Sequence, residues 1–174
     1  MEFKLPTETI ELPSKGLIYS SDNPLSSGTV EIKYMTAKEE DILTNQNYIS
    51  NGTVLDKLLK SLIVSEINYN DLLIGDKNAI MIAARILGYG ADYTFKYGGK
   101  SETMDLSSIQ NKPLDESLYT KGINEFQYTL PTSGNEITFK ILTHNDEIKI
   151  NQELEGLKKI NSDNSPELTT RLKY

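Results

Sequence analysis

The first residues whose types and spacing could support chemistry are Gly99-Lys100-Ser101, which match the last three positions of a phosphate-binding P-loop. That motif needs a glycine five residues before Gly99 and a helix after it. Thr94 stands at the glycine position, and an alternating apolar and polar run follows instead of a helical pattern. Paired glycines supply the positive φ of a tight hairpin turn. We therefore interpret Gly98-Gly99 as a turn and predict no nucleotide site.

Catalytic and metal-binding residues are few. His144 is the only histidine, and it lies in the first turn of a predicted helix, where a solvated side chain is the ordinary finding. A Ser-His-Asp triad would need it as the base, and no Gly-x-Ser-x-Gly segment places a nucleophile. Asp71 and Asp76 could form an acid pair, but Asp76 suits a helix cap better. One histidine and no cysteine exclude a His/Cys metal cluster and leave only carboxylates as ligands. Because no set of residues in the sequence suggests a reaction, we predict a non-enzymatic protein without catalytic, cofactor-binding or metal-ligating residues.

Composition narrows the class of protein further. The chain has 174 residues, a net charge of −7 and a pI of about 4.8, so the basic footprint of a nucleic-acid binder is missing. The longest apolar run, residues 79–87, is far shorter than the roughly 20 residues of a membrane-spanning helix. The N-terminus lacks the pattern of a secretory signal. We expect a cytoplasmic protein with neither nucleic-acid nor membrane partners.

The elements that would position these residues begin with two strands, 8–12 and 29–35, which alternate apolar and polar residues around a loop rich in Pro, Ser and Gly. Residues 36–88 have helical patterns. Thr36 and Glu39 form a capping box, and Leu55, Leu58, Leu59 and Leu62 share one helix face. A third helix, 77–87, is apolar on nearly its whole circumference. We expect Asp76 to cap it, Gly88 to end it, and the helix to be buried at the centre of the core.

After residue 91 the pattern changes to the period of a strand. Tyr93, Phe95 and Tyr97 alternate ahead of the Gly-Gly turn, which predicts a hairpin with one buried face. A second hairpin is predicted from 125–130 and 136–142. Thr143 and Asp146 form a looser capping box before a helix whose apolar stripe is Ile150, Leu154, Leu157 and Ile160. Ser165-Pro166 suggests the start of one more helix.

The order of elements predicts an α+β fold with an N-terminal strand pair and long loop, a helical core, two antiparallel hairpins and a C-terminal helix. We divide the chain into a β arm with its loop (1–35), a helical core segment (36–90), a β-hairpin segment (91–142) and a C-terminal helical segment (143–174), together forming one compact domain. No internal repeat is evident in the sequence.

Two clusters are candidates for contact with a partner. The first is the loop residues Lys15, Gly16, Leu17, Ile18 and Tyr19, whose apolar members either fold back on the core or wait for a partner. The second is the hairpin side chains Tyr93, Phe95 and Tyr97. Tyrosine is favoured where an apolar body meets a polar boundary, either at the rim of the chain's own core or at an interface.

Several stretches together resemble a known family. They are "ELPSKGLIY" (11–19), "VEIKYMTAKEEDILTNQ" (30–46) and "LLIGDKNAIMIAARILGYGADYTF" (72–95), with "ELEGLKKIN" (153–161) and "ELTTRLKY" (167–174) near the C-terminus. In this order the stretches resemble the baseplate hub assembly family of contractile-tailed bacteriophages of the T-even type. The resemblance covers most of the chain.

The resemblance implies a role in building the central hub of the tail baseplate. Members would bind hub and other tail assembly proteins in the host cytoplasm, either as chaperone-like factors that leave or as permanent subunits in the virion. Relatives carry a Cys-x-x-Cys pair at the turn after the "YTF" strand, as in a zinc knuckle. Here that turn is Tyr97-Gly98-Gly99-Lys100, so no zinc is expected. One remaining alternative is a lysis enzyme that uses paired acids. Self-association of the chain is another.

Overall fold

The computed structural model describes residues 6–160 and 166–174, with Ile160 described by its backbone alone. These residues form six α-helices and three two-stranded antiparallel sheets, which confirms the α+β class. Ser165, predicted to begin the last helix, lies outside the described residues, as does the start of the predicted β arm.

The chain packs as two compact units. The first unit combines Met1–Ile67 with Asn78–Ile123, and the second combines Asn68–Lys77 with Asn124–Tyr174. Both units therefore join pieces that are distant in sequence, and they cut across the four consecutive segments predicted from it.

The first unit begins with a strand pair, β1 (Thr7–Glu11) and β2 (Thr29–Lys33). Three helices follow, α1 (Ala37–Leu43), α2 (Gln46–Ser50) and α3 (Val54–Leu62). After α3 the chain returns to β2, where Ile63 bridges Ile32 in antiparallel fashion. The unit's core collects apolar side chains from all of these elements: Leu12, Ile18, Tyr19, Leu25, Val30, Ile32, Leu58, Leu59, Leu62, Ile80 and Ala84.

The helix α4 (Ile74–Tyr89) differs from its prediction at both ends. It begins two residues before Asp76, which is buried in the first turn instead of capping the helix. It continues through Gly88 to Tyr89, and Gly90, at φ +82°, provides the left-handed residue that ends it. Only Ile80 and Ala84 in its part of the first unit are fully buried, so the expectation of a wholly buried helix is wrong.

The hairpin of the first unit is formed by β3 (Asp92–Tyr97) and β4 (Lys100–Asp105), joined by the predicted Gly-Gly turn. The prediction that one of its faces is buried is wrong, because every residue of both strands is exposed. Alternation in a strand shows which side chains share a face, but it does not supply an element to cover that face.

The second unit contains β5 (Phe126–Thr129), β6 (Glu136–Phe139), α5 (His144–Ile160) and α6 (Glu167–Lys173). The chain at Leu73 bridges Thr143 just before α5 begins. The core of this unit consists of Tyr69, Leu72, Leu73, Ile150 and Leu154. Of the predicted stripe on α5, Leu157 is partly exposed and the side chain of Ile160 is not described.

The two units contain the same strand–turn–strand–helix module. In the first module (β1, β2 and α1) the turn begins Leu12-Pro13 and reaches Gly16, at φ +73°. In the second module (β5, β6 and α5) it begins Leu130-Pro131 and reaches Gly134, at φ +71°. The N–H of each leucine closes its turn at 2.8 Å, to the carbonyls of Gly28 and Asn135 respectively.

The register of the two hairpins also agrees. Ile10 pairs with Val30 in the first module, and Tyr128, with the same offset from the Leu-Pro turn, pairs with Ile137 in the second. The two modules therefore correspond in register, although no repeat is evident in the sequence. The repeat is hidden in the sequence because Leu12 and Gly28 are 16 positions apart and Leu130 and Asn135 only five, so the first loop is 11 residues longer.

Candidate functional site

The loop that carries five of the predicted contact residues is packed against the first unit. The backbone of Gly16 passes so close to Ser26 and Gly28 that a Cβ at Gly16 would lie 2.5 Å from the Ser26 carbonyl oxygen. Ile18 and Tyr19 are buried in the core, and Leu17 is partly buried. Of the two readings of the loop, the structure supports folding back on the core.

Lys15 is the one exposed member of the five. Its ammonium donates to the Glu116 carboxylate at 2.7 Å, with both side chains more than half exposed to solvent. An exposed ion pair of this kind stabilises a protein by about 0–1 kcal/mol, so Lys15 could exchange Glu116 for a partner's carboxylate at little cost. The loop therefore offers a charged contact but no apolar one.

The hairpin β3–β4 presents the remaining predicted residues to solvent. Tyr93 is 45% exposed, Phe95 38% and Tyr97 76%. The rings of Tyr93 and Phe95 stack with centroids 6.0 Å apart. Met104, the cross-strand partner of Tyr93, is exposed as well. These side chains form an uncovered apolar surface, which we call the hairpin face (Tyr93, Phe95, Tyr97 and Met104).

Arg85 on α4 fixes the base of this hairpin. Its guanidinium donates to the carbonyl of Gly90, between α4 and β3, at 2.9 Å and to the carbonyl of Asp92, the first residue of β3, at 3.3 Å. The same group lies over the rings of Tyr89 and Tyr93, 5.1 and 5.7 Å from their centroids. The base of the hairpin is thus held to α4, whereas the hairpin face is exposed to solvent.

An apolar cleft of about 390 Å³ adjoins the hairpin within the first unit. Tyr93 belongs to both surfaces, and the cleft extends from it along α4 and α3. Its walls include Met35, Leu43, Leu55, Met81, Ile82 and Leu106, with Arg85 as the charged member. Leu55, predicted on the buried face of α3, is 44% exposed because it lines this cleft.

Tyr89, which also lines the cleft, makes a polar contact with α1. Its hydroxyl donates to the Glu40 carboxylate at 2.7 Å, and this hydrogen bond raises the pKa of Tyr89 above its ordinary value of 10.0. The sequence did not single out Tyr89 or Arg85 as contact residues, although Tyr89 belongs to the tyrosines expected at the rim of the core or at an interface. The available signal was an arginine within an otherwise apolar helix and aromatic residues on either side of Gly90.

The buried carboxylates serve local structure. Glu39 accepts hydrogen bonds from the N–H and hydroxyl of Thr36 and from the Ser61 hydroxyl, and an ion pair with Lys33 at 2.9 Å completes its partners. Burial raises its pKa, but these hydrogen bonds outweigh burial and lower it from 4.5 to about 2. The predicted capping box at Thr36 is confirmed.

The second module repeats this arrangement. Asp146 accepts from the N–H and hydroxyl of Thr143 and from Lys140 at 2.9 Å. Burial raises the pKa of Asp146, and the bonds from Lys140 and Thr143 outweigh it, so the net shift is downward. The spacing Lys-x-x-Thr-x-x-acid is the sequence signal that both modules share.

His144 is buried, so the expectation of a solvated side chain is wrong. Its ring meets that of Tyr69 edge-on at 4.8 Å, and Nδ1 lies 3.2 Å from the Lys77 ammonium. Since an ammonium has no acceptor lone pair, the Lys77 group donates and Nδ1 accepts. This contact directs the ring into the packing of the second unit.

Two further site hypotheses can be compared with the geometry. Gly98 and Gly99 have φ values of +57° and +80°, and Lys100 begins β4, so Gly99-Lys100-Ser101 is a hairpin turn and not a P-loop. Within residues 6–160 and 166–174, no cluster of three or more His, Cys, Asp or Glu side chains could hold a metal ion. No helix in those ranges is long and apolar enough to cross a membrane.

Comparisons with known proteins returned no match: no protein-family model, curated protein or solved structure is similar to this chain.

Proposed function

We propose that this protein is a non-enzymatic assembly factor that binds baseplate hub proteins of a contractile-tailed phage. The resemblance of its sequence to the T-even-type hub assembly family supports the choice of partner. The observation that carries the proposal is the hairpin face, whose aromatic and methionine side chains lie uncovered beside an apolar cleft in the first unit. Contiguous exposed apolar surface of this kind is typical of protein-binding sites.

The composition of the surface fits a protein partner. Tyrosine, phenylalanine, methionine and arginine are enriched at the centres of protein interfaces, and all four types occur here. Arg85 holds the base of the hairpin to α4, so less conformational entropy is lost when the hairpin is bound. Glu102 and Lys100, the cross-strand partners of Phe95 and Tyr97, lie on the same face of the hairpin and provide its polar rim.

The proposed mechanism is stoichiometric. The factor covers apolar hub surfaces in the host cytoplasm until their permanent partners arrive, and it then dissociates. The binding energy comes from burying the hairpin face and cleft, at about 25 cal/mol per Å² of apolar surface, less the cost of association.

A second candidate function is a permanent structural subunit of the hub. It is favoured by the strand edges of β3 and β4, which have no ladder partner but each other among the described residues. Unpaired edges are normally covered or blunted in free proteins, and a lasting assembly would cover them.

The experiment that tests binding compares hairpin variants against individually purified hub proteins by calorimetry. We expect Tyr93→Ser with Tyr97→Ser to weaken binding to one hub protein at least tenfold, because truncating two interface aromatics commonly costs more than about 1.4 kcal/mol. The matched control is Tyr128→Ser, an exposed tyrosine on the hairpin of the second unit. Equal affinity of the double variant and wild type would contradict the proposal.

A further inference from the structure

The two modules differ in what covers the outer edge of their second strand. In the first module the chain after α3 occupies the edge of β2. The N–H of Val64 donates to the Glu31 carbonyl at 2.9 Å, and the N–H of Glu31 donates to the Ser65 hydroxyl at 2.8 Å. Ile63 bridges Ile32 beside them. A short extended segment, Ile63–Ser65, therefore completes this module.

The same edge of β6 is unpaired in the second module. The shared register makes Thr138 the counterpart of Glu31. Because Leu130 and Asn135 are hydrogen-bonded across the hairpin, the alternation of antiparallel bonds directs the N–H and C=O of Thr138 away from β5. Among the described residues, β5 is the only strand that pairs with β6.

Apolar side chains beside this edge are also uncovered. Val30 and Ile32 are at most 1% exposed, whereas their counterparts Ile137 and Phe139 are 40% and 49% exposed. On α6, Leu168 and Leu172 are 72% and 78% exposed, although Leu58 and Leu62, with the same four-residue spacing on α3, are buried.

These side chains line one cleft. It has a volume of about 710 Å³ within the second unit, and its walls are β6 and α6. At Thr138 the cleft places an outward backbone N–H and C=O next to apolar side chains, and its charged members are Glu125, Lys140, Arg171 and Lys173. That combination suits an added strand, since main-chain hydrogen bonds supply affinity and side-chain pockets supply specificity.

We propose that the cleft between β6 and α6 binds an extended segment of a partner protein, which pairs with the outer edge of β6 as Ile63–Ser65 pairs with the outer edge of β2 through a single bridge at Ile63. The first module defines the chemistry of the segment, two consecutive β-branched apolar residues followed by a hydroxyl residue. The proposal uses residues other than the hairpin face, so it stands if the hairpin face proves not to bind hub proteins.

The test uses a synthetic peptide with the sequence of residues 60–67, KSLIVSEI, added to the ¹⁵N-labelled full chain. We expect saturable binding, with backbone shift changes confined to residues 136–142 and 166–174. A peptide carrying Ile63→Asp and Val64→Asp should not bind. Absence of binding by the first peptide, or shifts that lie elsewhere, would overturn the proposal.

Matched leucine variants locate the site. Leu172→Glu should weaken peptide binding at least tenfold, and Leu118→Glu, at a leucine 72% exposed in the first unit, should change it less than twofold. Thermal unfolding of both leucine variants identifies any loss of folding. Thr138→Pro, which removes the outward N–H, provides a second variant of the cleft. An equal loss of peptide affinity in the two leucine variants would contradict binding at this cleft.

Sedimentation velocity without peptide distinguishes between two possible occupants of the cleft, a partner protein and a second copy of this chain. The proposal predicts a monomer over the concentration range of the peptide experiment. A dimer that Leu172→Glu dissociates would show that the cleft is a contact between two copies of the chain. That result would overturn the proposal that a partner protein occupies it.

Discussion

Glu39 connects three elements of the first unit through one buried carboxylate. It joins the end of β2 through Lys33, the start of α1 through Thr36, and α3 through Ser61. A carboxylate with three such partners is favourable only while it is ionised. Its contribution to stability should therefore depend on pH.

We predict the direction of that dependence from the pKa of Glu39, about 2 in the folded chain against 4.5 ordinarily. A lowered folded-state pKa gives stability that is complete above pH 4.5 and is lost as pH falls toward 2. The full shift corresponds to about 3 kcal/mol. Urea unfolding at several pH values measures this change. Between pH 4.5 and pH 2 the unfolding free energy of wild type should fall by about 3 kcal/mol more than that of Glu39→Gln.

The control for this prediction is Asp41→Asn, at an exposed acid in the same helix, which should keep the wild-type pH dependence. Parallel curves for Glu39→Gln and wild type between pH 4.5 and 2 would show that the buried carboxylate is not the group responsible.

The two turn glycines provide a matched comparison between the modules. A Cβ at Gly16 would meet the backbone of Ser26 and Gly28 at 2.5–2.7 Å, but one at Gly134 would meet nothing within 4 Å. Both glycines have positive φ, which costs an alanine about 1–2 kcal/mol. Gly16→Ala should lose well over that amount because backbone atoms must also move, and Gly134→Ala should lose only that amount. Equal losses in chemical unfolding would refute the close approach at Gly16.

Ile18 tests whether the loop belongs to the core. Its side chain is 6% exposed, so Ile18→Ser removes buried apolar volume and buries a hydroxyl. We expect a loss of about 2–4 kcal/mol in the unfolding free energy. Lys15→Ser, at the exposed end of the same loop, should change it by less than about 1 kcal/mol. A stable Ile18→Ser variant with weakened hub binding would restore the contact reading of the loop.

The hairpin β3–β4 depends on α4 for its position. Arg85 bonds two carbonyls in a forked geometry that the single ammonium of a lysine cannot reproduce. We expect Arg85→Lys to raise hydrogen–deuterium exchange at the amides of β3 and β4 several-fold. The matched control is Arg171→Lys, at the other arginine of the chain, which should leave exchange in β3 and β4 unchanged. Unchanged exchange in Arg85→Lys would mean that the hairpin holds its position without the arginine.

Local patterns predicted the elements themselves well. The Gly-Gly turn, the capping boxes at Thr36 and Thr143, and both later hairpins depend on neighbours a few residues apart, so they can be read from one stretch of chain. The ends of α4 were misplaced because Asp76 and Gly88 are good cap residues that tertiary packing did not use.

Burial was the part that the sequence predicted poorly. Tyr93, Phe95 and Tyr97 alternate as a core-facing strand would, but whether a face is covered depends on residues far away in the chain. For Ile18 the sequence left burial and contact with a partner as alternatives, and the buried side chain decides between them. Tyr93, Phe95 and Tyr97 are exposed, and their role in contact with a partner stays a prediction. Of the two alternatives for the loop, the structure supports folding back on the core.

The internal repeat bears on the chain as a whole. Both modules use the Leu-Pro turn, the lysine-to-acid ion pair and the threonine cap, and only the first covers its strand edge with Ile63–Ser65. The second module and the hairpin face leave apolar surface open in both units. This distribution suits a protein whose role is to engage other proteins at more than one place.

The central claim is that the chain acts as an assembly factor and is not a part of the finished particle. The most direct measurement is quantitative mass spectrometry of purified phage particles beside the lysate of infected cells, counting copies of this protein against a hub subunit. We predict abundance in the lysate and none in the particle. A fixed small integer of copies per particle would contradict the assembly-factor account and establish the structural-subunit alternative.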